Sequence, residues 1–461
     1  MHRSIIGLEI HAELSTRTKM FCDSANNPDE TQPNVNICPI CLAHPGTLPV
    51  INREAVRHIL RIGTAVGGTI ADFSEFDRKS YFYPDIPKGY QISQYKHPLI
   101  TGGTLAGVKI TRVHLEEDTA RSIHSERGSL IDFNRAGIPL MELVTEPVIL
   151  DATTAGRFAR ELQLLLRTLR ASGANLEKGE MRIEANVSVS DKKNAFGTKV
   201  EVKNLNSFRS VERAITCEVE RQSALLKKGE RVVQETRGWD EVKQKTFHQR
   251  FKEGSADYRY FPEPDLPKLF LSDIREFSRE TIRASLPELP WERRERYAKL
   301  GLKSPDIEFI IGTVERSTFF DAVFEEIGNQ KELAVLAANY FISDLAGEPG
   351  KVTPAAFAKL LHMSASAKLS SRGMKDIFAI LVAGGGDPET LARSQGLIQV
   401  HTESELEPVV DTVLTTETKA VTEYRAGKRA VLQYLVGKAM KESRGAGNPL
   451  ELRKLILKKL G

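Results

Sequence analysis

Acidic and histidine side chains recur at every second position near the start of the chain. Between Ile6 and Leu14, apolar residues alternate with Glu9, His11 and Glu13. Residues two apart in a β-strand project from the same face. The pattern therefore predicts a strand with one core face and one row of ionisable groups. A solvent-exposed face explains such a row, and a floor that binds a ligand is the alternative.

Two further carboxylates fall on strand faces that are otherwise apolar. Glu117 follows Val113 and Leu115 at two-residue spacing. Glu142 likewise has one apolar residue two positions before it and another two positions after it. Burying a carboxylate is costly unless it is paired or binds a metal ion. Carboxylates and one imidazole on a single sheet suit Mg²⁺ or Mn²⁺ rather than zinc. Buried ion pairs with nearby arginines and lysines are the alternative interpretation.

Three segments, 76–94, 199–208 and 252–265, combine basic residues with acids or aromatic rings. Phosphoryl transfer requires basic side chains beside an acidic metal site, because they neutralise charge on the phosphates. Mixtures of aromatic and basic residues can also hold RNA by stacking and backbone contact. A packed loop with ion pairs explains each segment alone, but together the three favour a functional interpretation.

The cysteines suggest a second kind of site. Cys22 precedes a C-x-x-C pair formed by Cys38 and Cys41, which has the spacing of half a zinc knuckle. Asp23 or His44 would have to complete a set of four ligands. A group of reduced thiols without a metal is the alternative.

Composition limits the classes of protein to consider. With 41% hydrophobic and 27% charged residues, the chain is typical of globular domains. The sequence has no run of about 18 apolar residues, so it predicts no membrane-spanning helix. The N-terminus lacks a signal-peptide pattern. Four cysteines are too few for a disulfide scaffold, so we expect a cytoplasmic protein. No P-loop sequence occurs, so any ATP site must use another scaffold.

Charge is distributed unevenly although the net value is only +4. Residues 419–461 contain eleven lysines and arginines against three acids, a net charge of +8, which leaves −4 for residues 1–418. A basic tail on an acidic body indicates a polyanionic partner. A solvated helical face is the alternative.

The spacing of apolar residues predicts an α+β fold. Short alternating runs punctuated by Gly and Pro predict strands and a few helices up to about residue 290, and helical spacing dominates from Trp291 onward. We predict a mixed α/β core with an antiparallel sheet at 1–290, an all-α middle domain at 291–395, and a small basic all-α tail domain at 396–461.

Long ordered strings in this sequence resemble the GatB family, the B subunits of the aspartyl/glutamyl-tRNA amidotransferases. The strings are 7–14 (GLEIHAEL), 77–85 (DRKSYFYPD), 114–118 (HLEED), 197–208 (GTKVEVKNLNSF), 257–265 (DYRYFPEPD), 421–428 (VTEYRAGK), 435–440 (LVGKAM) and 444–449 (RGAGNP). Because they are long and run through essentially the whole chain, the resemblance is specific.

The resemblance implies the kinase and transamidase component of a heterotrimer. ATP would phosphorylate the side-chain carboxylate of Glu-tRNA(Gln) or Asp-tRNA(Asn), and ammonia would then displace the phosphate to form the amide. A glutaminase, the amidase-type A subunit, would supply ammonia through an internal channel, and the small C subunit would brace the other two. The alternatives are a non-catalytic tRNA-binding scaffold and an archaeal Glu-tRNA-specific relative, which carries an additional inserted domain.

The family's Mg²⁺-site positions correspond here to Glu9, His11, Glu117 and Glu142, which we also expect to be catalytic. We assign nucleotide or substrate contact to seven further residues: Lys79, Tyr81, Tyr83, Lys88, Lys203, Asn204 and Arg259. We assign tRNA contact to basic residues of the tail: Arg425, Lys428, Arg429, Lys438, Lys441 and Arg444.

Two positions depart from the family pattern. Ser24 stands where some members have a second cysteine before the C-x-x-C pair, so three thiols are left for the possible zinc site. Arg121 stands where many members have a lysine. Because a guanidinium is a planar fork rather than a point charge, we expect the local geometry there to differ.

Overall fold

The computed structural model describes residues 3–126, 128–192, 195–251, 258–328, 330–399, 403–443 and 447–461. The chain divides into two compact units, Met1–Pro290 and Trp291–Gly461. The first unit mixes strands and helices, and the described part of the second is built from helices. The α+β class is confirmed. Within the described ranges, no helix has the length and apolar character needed to cross a bilayer.

Strands of the first unit vary widely in length. They are β1 Arg3–Glu13, β2 Thr69–Ile70, β3 Phe73–Ser74, β4 Asp77–Ser80, β5 Tyr90–Ser93, β6 Ile100–Thr101, β7 Thr104–Leu105, β8 Val108–Glu117, β9 Arg121–Ser125, β10 Gly128–Asp132, β11 Pro139–Thr145, β12 Met181–Ser190, β13 Val200–Leu205, β14 Glu235–Asp240, β15 Lys245–Phe251, β16 Phe261–Pro262 and β17 Leu269–Phe270. Strands β1, β8 and β11 include the segments in which two-residue alternation placed ionisable side chains.

Helices occur in both units, as the spacing of apolar residues predicted. Those of the first unit are α1 Arg53–Ala65, α2 Ala152–Thr168, α3 Phe208–Lys227 and α4 Arg279–Ala284. From Pro290 onward follow α5 Pro290–Lys299, α6 Ser304–Ile311, α7 Val314–Glu326, α8 Lys331–Ser343, α9 Pro354–Ala365, α10 Ser371–Gly384, α11 Pro388–Ser394, α12 Glu403–Thr416, α13 Thr418–Arg425, α14 Val431–Glu442 and α15 Pro449–Leu460.

One large sheet organises the first unit. Its strand order is β15-β14-β13-β12-β1-β11-β8-β6-β2, and β7 pairs with β8. Every pairing is antiparallel except that of β13 with β14. Strand β1 lies between β12 and β11, so both of its edges are hydrogen-bonded. A smaller sheet, β16-β4-β5, contacts β8 through β5.

Alternation along β1 decides which face of the sheet is apolar. Ile6, Leu8, Ile10 and Ala12 are at most 1% exposed. Helix α3 packs on β12 and β13, and α2 packs on α3. Asp151 caps α2 with its side chain, which accepts a hydrogen bond from a backbone N–H of the first turn. The opposite face of β1 presents its ionisable residues.

The C-terminal helices have a hydrophobic core of their own. Twelve buried residues between Leu406 and Leu460 form this cluster, and α12 packs against both α14 and α15. The amphipathic spacing that marked the tail as helical therefore reflects packing of these helices on one another. The subdivision near residue 395 stays a prediction.

We expect Leu162→Ala to lower the free energy of unfolding by roughly 2–5 kcal/mol, because Leu162 of α2 is fully buried and its removal leaves a cavity. Val242→Ala is the control, since Val242 is 94% exposed and such changes stay within about 0.5 kcal/mol. Urea unfolding followed by circular dichroism measures both. Equal losses would contradict the core position of α2.

Candidate active site

Strand pairing gathers ionisable side chains on one face of the large sheet. His11 of β1 lies opposite Glu142 of β11, and Glu142 lies opposite His114 of β8. Directly opposed residues in neighbouring strands project from the same face. Glu116 follows His114 by two positions and therefore joins the same face. We call His11, His114, Glu116 and Glu142 the acid–imidazole cluster.

Distances within the acid–imidazole cluster show a continuous set of contacts. His11 Nε2 is 3.4 Å from a Glu116 oxygen and 3.5 Å from a Glu142 oxygen. His114 Nε2 is 3.4 Å from the same Glu142 oxygen, and Arg112 donates to the other at 3.2 Å. Ser93 of β5 donates to Glu116 at 3.1 Å. Both carboxylates are almost fully buried. These contacts therefore replace the hydrogen bonds to water that the carboxylates would make if they were exposed.

Electrostatics in the cluster favour charged forms. Burial lowers the pKa of His11, but its contacts with Glu116 and Glu142 outweigh burial and raise the pKa to about 10. Burial alone would raise the pKa of Glu142, yet His114 and His11 hold it well below its ordinary range. The pKa of Glu116 is likewise lowered by His11 against the effect of burial. Near neutral pH the cluster therefore holds two carboxylates and a protonated His11.

A second acidic group adjoins the cluster along β1. Glu9 lies opposite Glu184 of β12, and ligand oxygens of Glu9, Glu184 and Glu201 lie within 4.8 Å of one another. Lys203 donates to both oxygens of Glu184, at 2.7 and 2.8 Å. Burial and the nearby Glu142 carboxylate raise the pKa of Glu9. Oxygen ligands from Glu9 and Glu142 with the imidazole of His11, also within 4.8 Å, form the kind of set that Mg²⁺ or Mn²⁺ accepts.

Glu117 does not join this face, contrary to the sequence expectation. Its neighbour Glu116 points to His11, so Glu117 projects from the opposite face of β8. There it accepts hydrogen bonds from Lys88 Nζ at 2.6 Å and from the Ile92 backbone N–H at 2.9 Å. Glu117 and Lys88 line a cavity of about 280 Å³ together with Tyr90, Cys22, Cys41 and other residues.

Sequence reasoning missed His114 and Glu116 for a specific reason. Two adjacent glutamates, Glu116 and Glu117, close β8, and alternation alone places them on opposite faces without saying which face meets His11. The pairing register of β11 with β8 decides this. One feature of the sequence could have identified Glu116. His114 lies two residues before it, so the two polar side chains share one face of the strand.

Of the residues expected to contact nucleotide or substrate, Lys79 and Tyr81 lie near the cluster. Lys79 Nζ is 6.0 Å from the ring centre of Tyr81 and 5.2 Å from that of Tyr258. Burial lowers the pKa of Lys79, but Glu116 and other neighbours raise it above its ordinary value. Lys79 therefore supplies a fixed positive charge beside the two carboxylates.

Of the other expected contact residues, three are exposed and two are half-buried. Tyr83 is 63% exposed. Asn204 and Arg259 are exposed and have left-handed backbone angles, φ 63° and 48°. Asn204 lies within β13, whose pairing with β12 shifts register. Lys203 adjoins the cluster through Glu184, as described, whereas Lys88 pairs with Glu117.

Profiles of known protein families match both units of the chain. The profile of the GatB/GatE catalytic domain matches residues 4–275, and that of a GatB domain matches residues 318–460. The chain belongs to the GatB family. It is therefore one component of an amidotransferase, and the resemblance carried by the sequence strings is confirmed.

Curated relatives of this GatB-family chain match it from end to end. The B subunit of the aspartyl/glutamyl-tRNA(Asn/Gln) amidotransferase of Thermus thermophilus is 43% identical over 474 residues, which cover 100% of both chains. The B subunit of the chloroplastic/mitochondrial glutamyl-tRNA(Gln) amidotransferase of Physcomitrium patens is 41% identical over 488 residues, which cover 100% of this chain and 85% of that one.

Three cysteines of this GatB-family chain come together as their spacing suggested. The sulfurs of Cys22, Cys38 and Cys41 lie within 4.8 Å of one another. Ser24 Oγ and Lys19 Nζ each lie 3.8 Å from the Cys41 sulfur. Structural zinc takes four ligands. Among the described residues, neither Asp23 nor His44 joins the three sulfurs within 4.8 Å, so a zinc ion here stays a prediction.

Basic residues of the C-terminal helices are partly neutralised. Lys428 pairs with Glu423 at 2.9 Å and Lys438 with Glu417 at 2.7 Å. Arg429 contacts Tyr424. Within the described ranges, Arg425 and Lys441 are exposed and show no ion pair. Arg444 lies outside the described residues.

Helix α12 changes the charge balance of the tail. Including residues 403–418 adds five acids, so residues 403–461 carry +3 rather than the +8 of residues 419–461. Lys458 pairs with Glu403, and Lys459 pairs with Glu407 at 2.8 Å and with Asp411. Acids of α12 therefore neutralise the two lysines at the end of α15.

We expect Glu142→Gln to lower the pKa of His11 from about 10 by at least about one unit, because one of the two carboxylates that face it loses its charge. Because the pKa of His11 is higher in the folded chain than in the unfolded one, protonated His11 stabilises the fold. This stabilisation is complete below about pH 6.5 and is lost as pH rises through about 10. Histidine NMR titration measures the change. Glu54→Gln, beside His58, should leave His11 unchanged. An unaltered His11 in the Glu142 variant would contradict the contact.

Proposed function

We propose that this chain activates and amidates the aminoacyl group of misacylated tRNA. The reaction phosphorylates the side-chain carboxylate of Glu-tRNA(Gln) or Asp-tRNA(Asn) with ATP, and ammonia then replaces the phosphate. The observation that carries the proposal is the acid–imidazole cluster with Lys79 beside it, in a chain whose relatives are named as tRNA amidotransferase subunits.

The cluster suits the first half of this reaction. A free carboxylate is a poor acylating group at neutral pH, and phosphorylation gives it a leaving group. Glu9, Glu116 and Glu142 would hold Mg²⁺, and His11 would become a further ligand only on losing its proton; the ion when bound neutralises charge on the phosphates. Glu117 is not included, because it faces Lys88 on the other side of the sheet.

Positive side chains around the cluster complete the chemistry. Lys79 carries a charge that its neighbouring carboxylates stabilise, and Lys203 lies at the other edge. Ammonium groups fixed in this way stabilise negative charge on a transferred phosphoryl group without reorganising during the reaction. We assign contact with nucleotide or substrate to these lysines and to Tyr81, Tyr83, Asn204 and Arg259, but not to Lys88, which pairs with Glu117 on the other face.

The proposed partners follow from the proposed reaction. The chain would act with a glutaminase, the A subunit, which supplies ammonia, and with the small C subunit, and misacylated tRNA is the substrate. We propose the cytoplasm as the site of action, and a division of labour in which residues 1–290 do the chemistry. The helical segments 291–395 and 396–461 would then hold tRNA. Zinc is not part of the proposal.

Adjacent glutamates provide a matched test of the site. In the assembled enzyme we expect Glu116→Gln to weaken Mn²⁺ binding at least about 10-fold and to slow release of ADP on misacylated tRNA. Glu117→Gln should leave Mn²⁺ affinity unchanged, because that carboxylate lies on the other face. Electron paramagnetic resonance measures free Mn²⁺. If instead Glu117→Gln weakened Mn²⁺ binding and Glu116→Gln did not, the metal site would include Glu117 rather than Glu116. If neither variant slows the reaction, the chain is a tRNA-binding scaffold.

Salt dependence tests the proposed role of the C-terminal helices. We expect Arg425→Ala with Lys441→Ala to make the slope of log K against log salt shallower by roughly two, because both side chains are exposed. Lys458→Ala with Lys459→Ala is the matched control, since both lysines already pair with acids of α12. Filter binding of tRNA by the assembled enzyme gives the slopes. Equal slopes for the two double variants would exclude the assignment.

A further inference from the structure

Four tyrosines make successive ring contacts beside the acid–imidazole cluster. Ring centres of Tyr81 and Tyr258 are 6.0 Å apart, and those of Tyr258 and Tyr260 are also 6.0 Å apart. Tyr260 stacks on Tyr95 at 4.2 Å, with the two planes 9° from parallel. We call these four residues the tyrosine run.

One end of the tyrosine run reaches the cluster. Lys79 Nζ lies over the rings of Tyr81 and Tyr258, and it interacts electrostatically with Glu116 and Glu142. Tyr260 also interacts electrostatically with Lys79 and with both carboxylates. The rings therefore surround the cation that stands next to the proposed site of phosphorylation.

The other end of the run is exposed. Tyr95 is 58% exposed, and one face of its ring is covered by Tyr260. The backbone of this segment is fixed, because the Asp77 carboxylate accepts hydrogen bonds from the N–H groups of Tyr95 and Lys96, at 3.0 and 3.2 Å. An aromatic ring held rigidly with one open face is suited to stacking, and Lys96 beside it is exposed.

Unpaired nucleotides match this chemistry. Bases without a pairing partner stack on tyrosine rings, and nearby cations bind the phosphates between them. The aminoacyl group of a tRNA is attached to the end of such an unpaired segment. A surface that leads from an open ring to Lys79 would guide that segment toward the carboxylates.

We propose that the tyrosine run binds the unpaired 3′ end of the tRNA, with a base stacked on the open face of Tyr95. This inference rests on the proposed function and names the residues that position its substrate. The aminoacyl ester then reaches Lys79 and the acid–imidazole cluster. Tyr95 acts as a positioning residue, because it contacts the RNA and not the reacting carboxylate.

Truncated RNA isolates this contact. The assembled enzyme is titrated with intact tRNA(Gln) and with the same tRNA lacking its unpaired 3′ nucleotides, at one fixed salt concentration. We expect Tyr95→Ala to weaken binding of intact tRNA roughly 5- to 100-fold, as the loss of one base–aromatic stack does. Binding of the truncated tRNA should stay unchanged.

Two control variants separate stacking from other effects. Tyr95→Phe keeps the ring and should bind both RNAs as the unsubstituted enzyme does. Tyr434→Ala removes another exposed tyrosine, in α14, and should affect both RNAs equally or neither. Circular dichroism and urea unfolding show whether Tyr95→Ala remains folded.

Three outcomes would overturn the proposal. Tyr95→Ala could weaken the binding of both RNAs equally, or the binding of neither. It could also raise only the KM for ATP, which would mean that the adenine of the nucleotide stacks on Tyr95. In each case the Glu116 variant still tests the proposed function by itself. Unchanged binding of both RNAs by Tyr95→Ala, with ATP-dependent phosphorylation intact, would remove this inference and leave that function standing.

Discussion

The site depends on the register of β1 between its two neighbours. His11 faces Glu142 on one side and Arg182 on the other, and a slip of one residue would turn every ionisable side chain of β1 to the apolar face. The buried row of Ile6, Leu8, Ile10 and Ala12 prevents that slip. The hydrophobic face of the strand thus fixes the geometry of the polar one.

Carboxylates brought this close together repel one another, and the protein offsets the repulsion with fixed cations. His11 lies between Glu116 and Glu142, Arg112 contacts Glu142, and Lys203 contacts Glu184. Burial and like charge still raise the pKa of Glu9. Sites of this kind cost stability in the free protein, and bound ligands recover it.

Alternation in the sequence identified the strands, their apolar faces and three residues of the proposed site, Glu9, His11 and Glu142. It could not separate Glu116 from Glu117, because the choice depends on pairing between strands that are distant in sequence. The basic tail was equally ambiguous. Its charge could be counted, but the acidic helix that neutralises Lys458 and Lys459 follows only from packing.

Pairing of β1 with β12 has a consequence for synthesis of the chain. Arg3 pairs with Ser190, so the first strand emerges long before its partner does. At about 5–20 residues per second, roughly 10–40 s pass before β12 is made. During that interval β1 has an open edge and an apolar face, which other chains can pair with. Early chaperone capture of nascent β1 would protect the strand on which the acid–imidazole cluster is built.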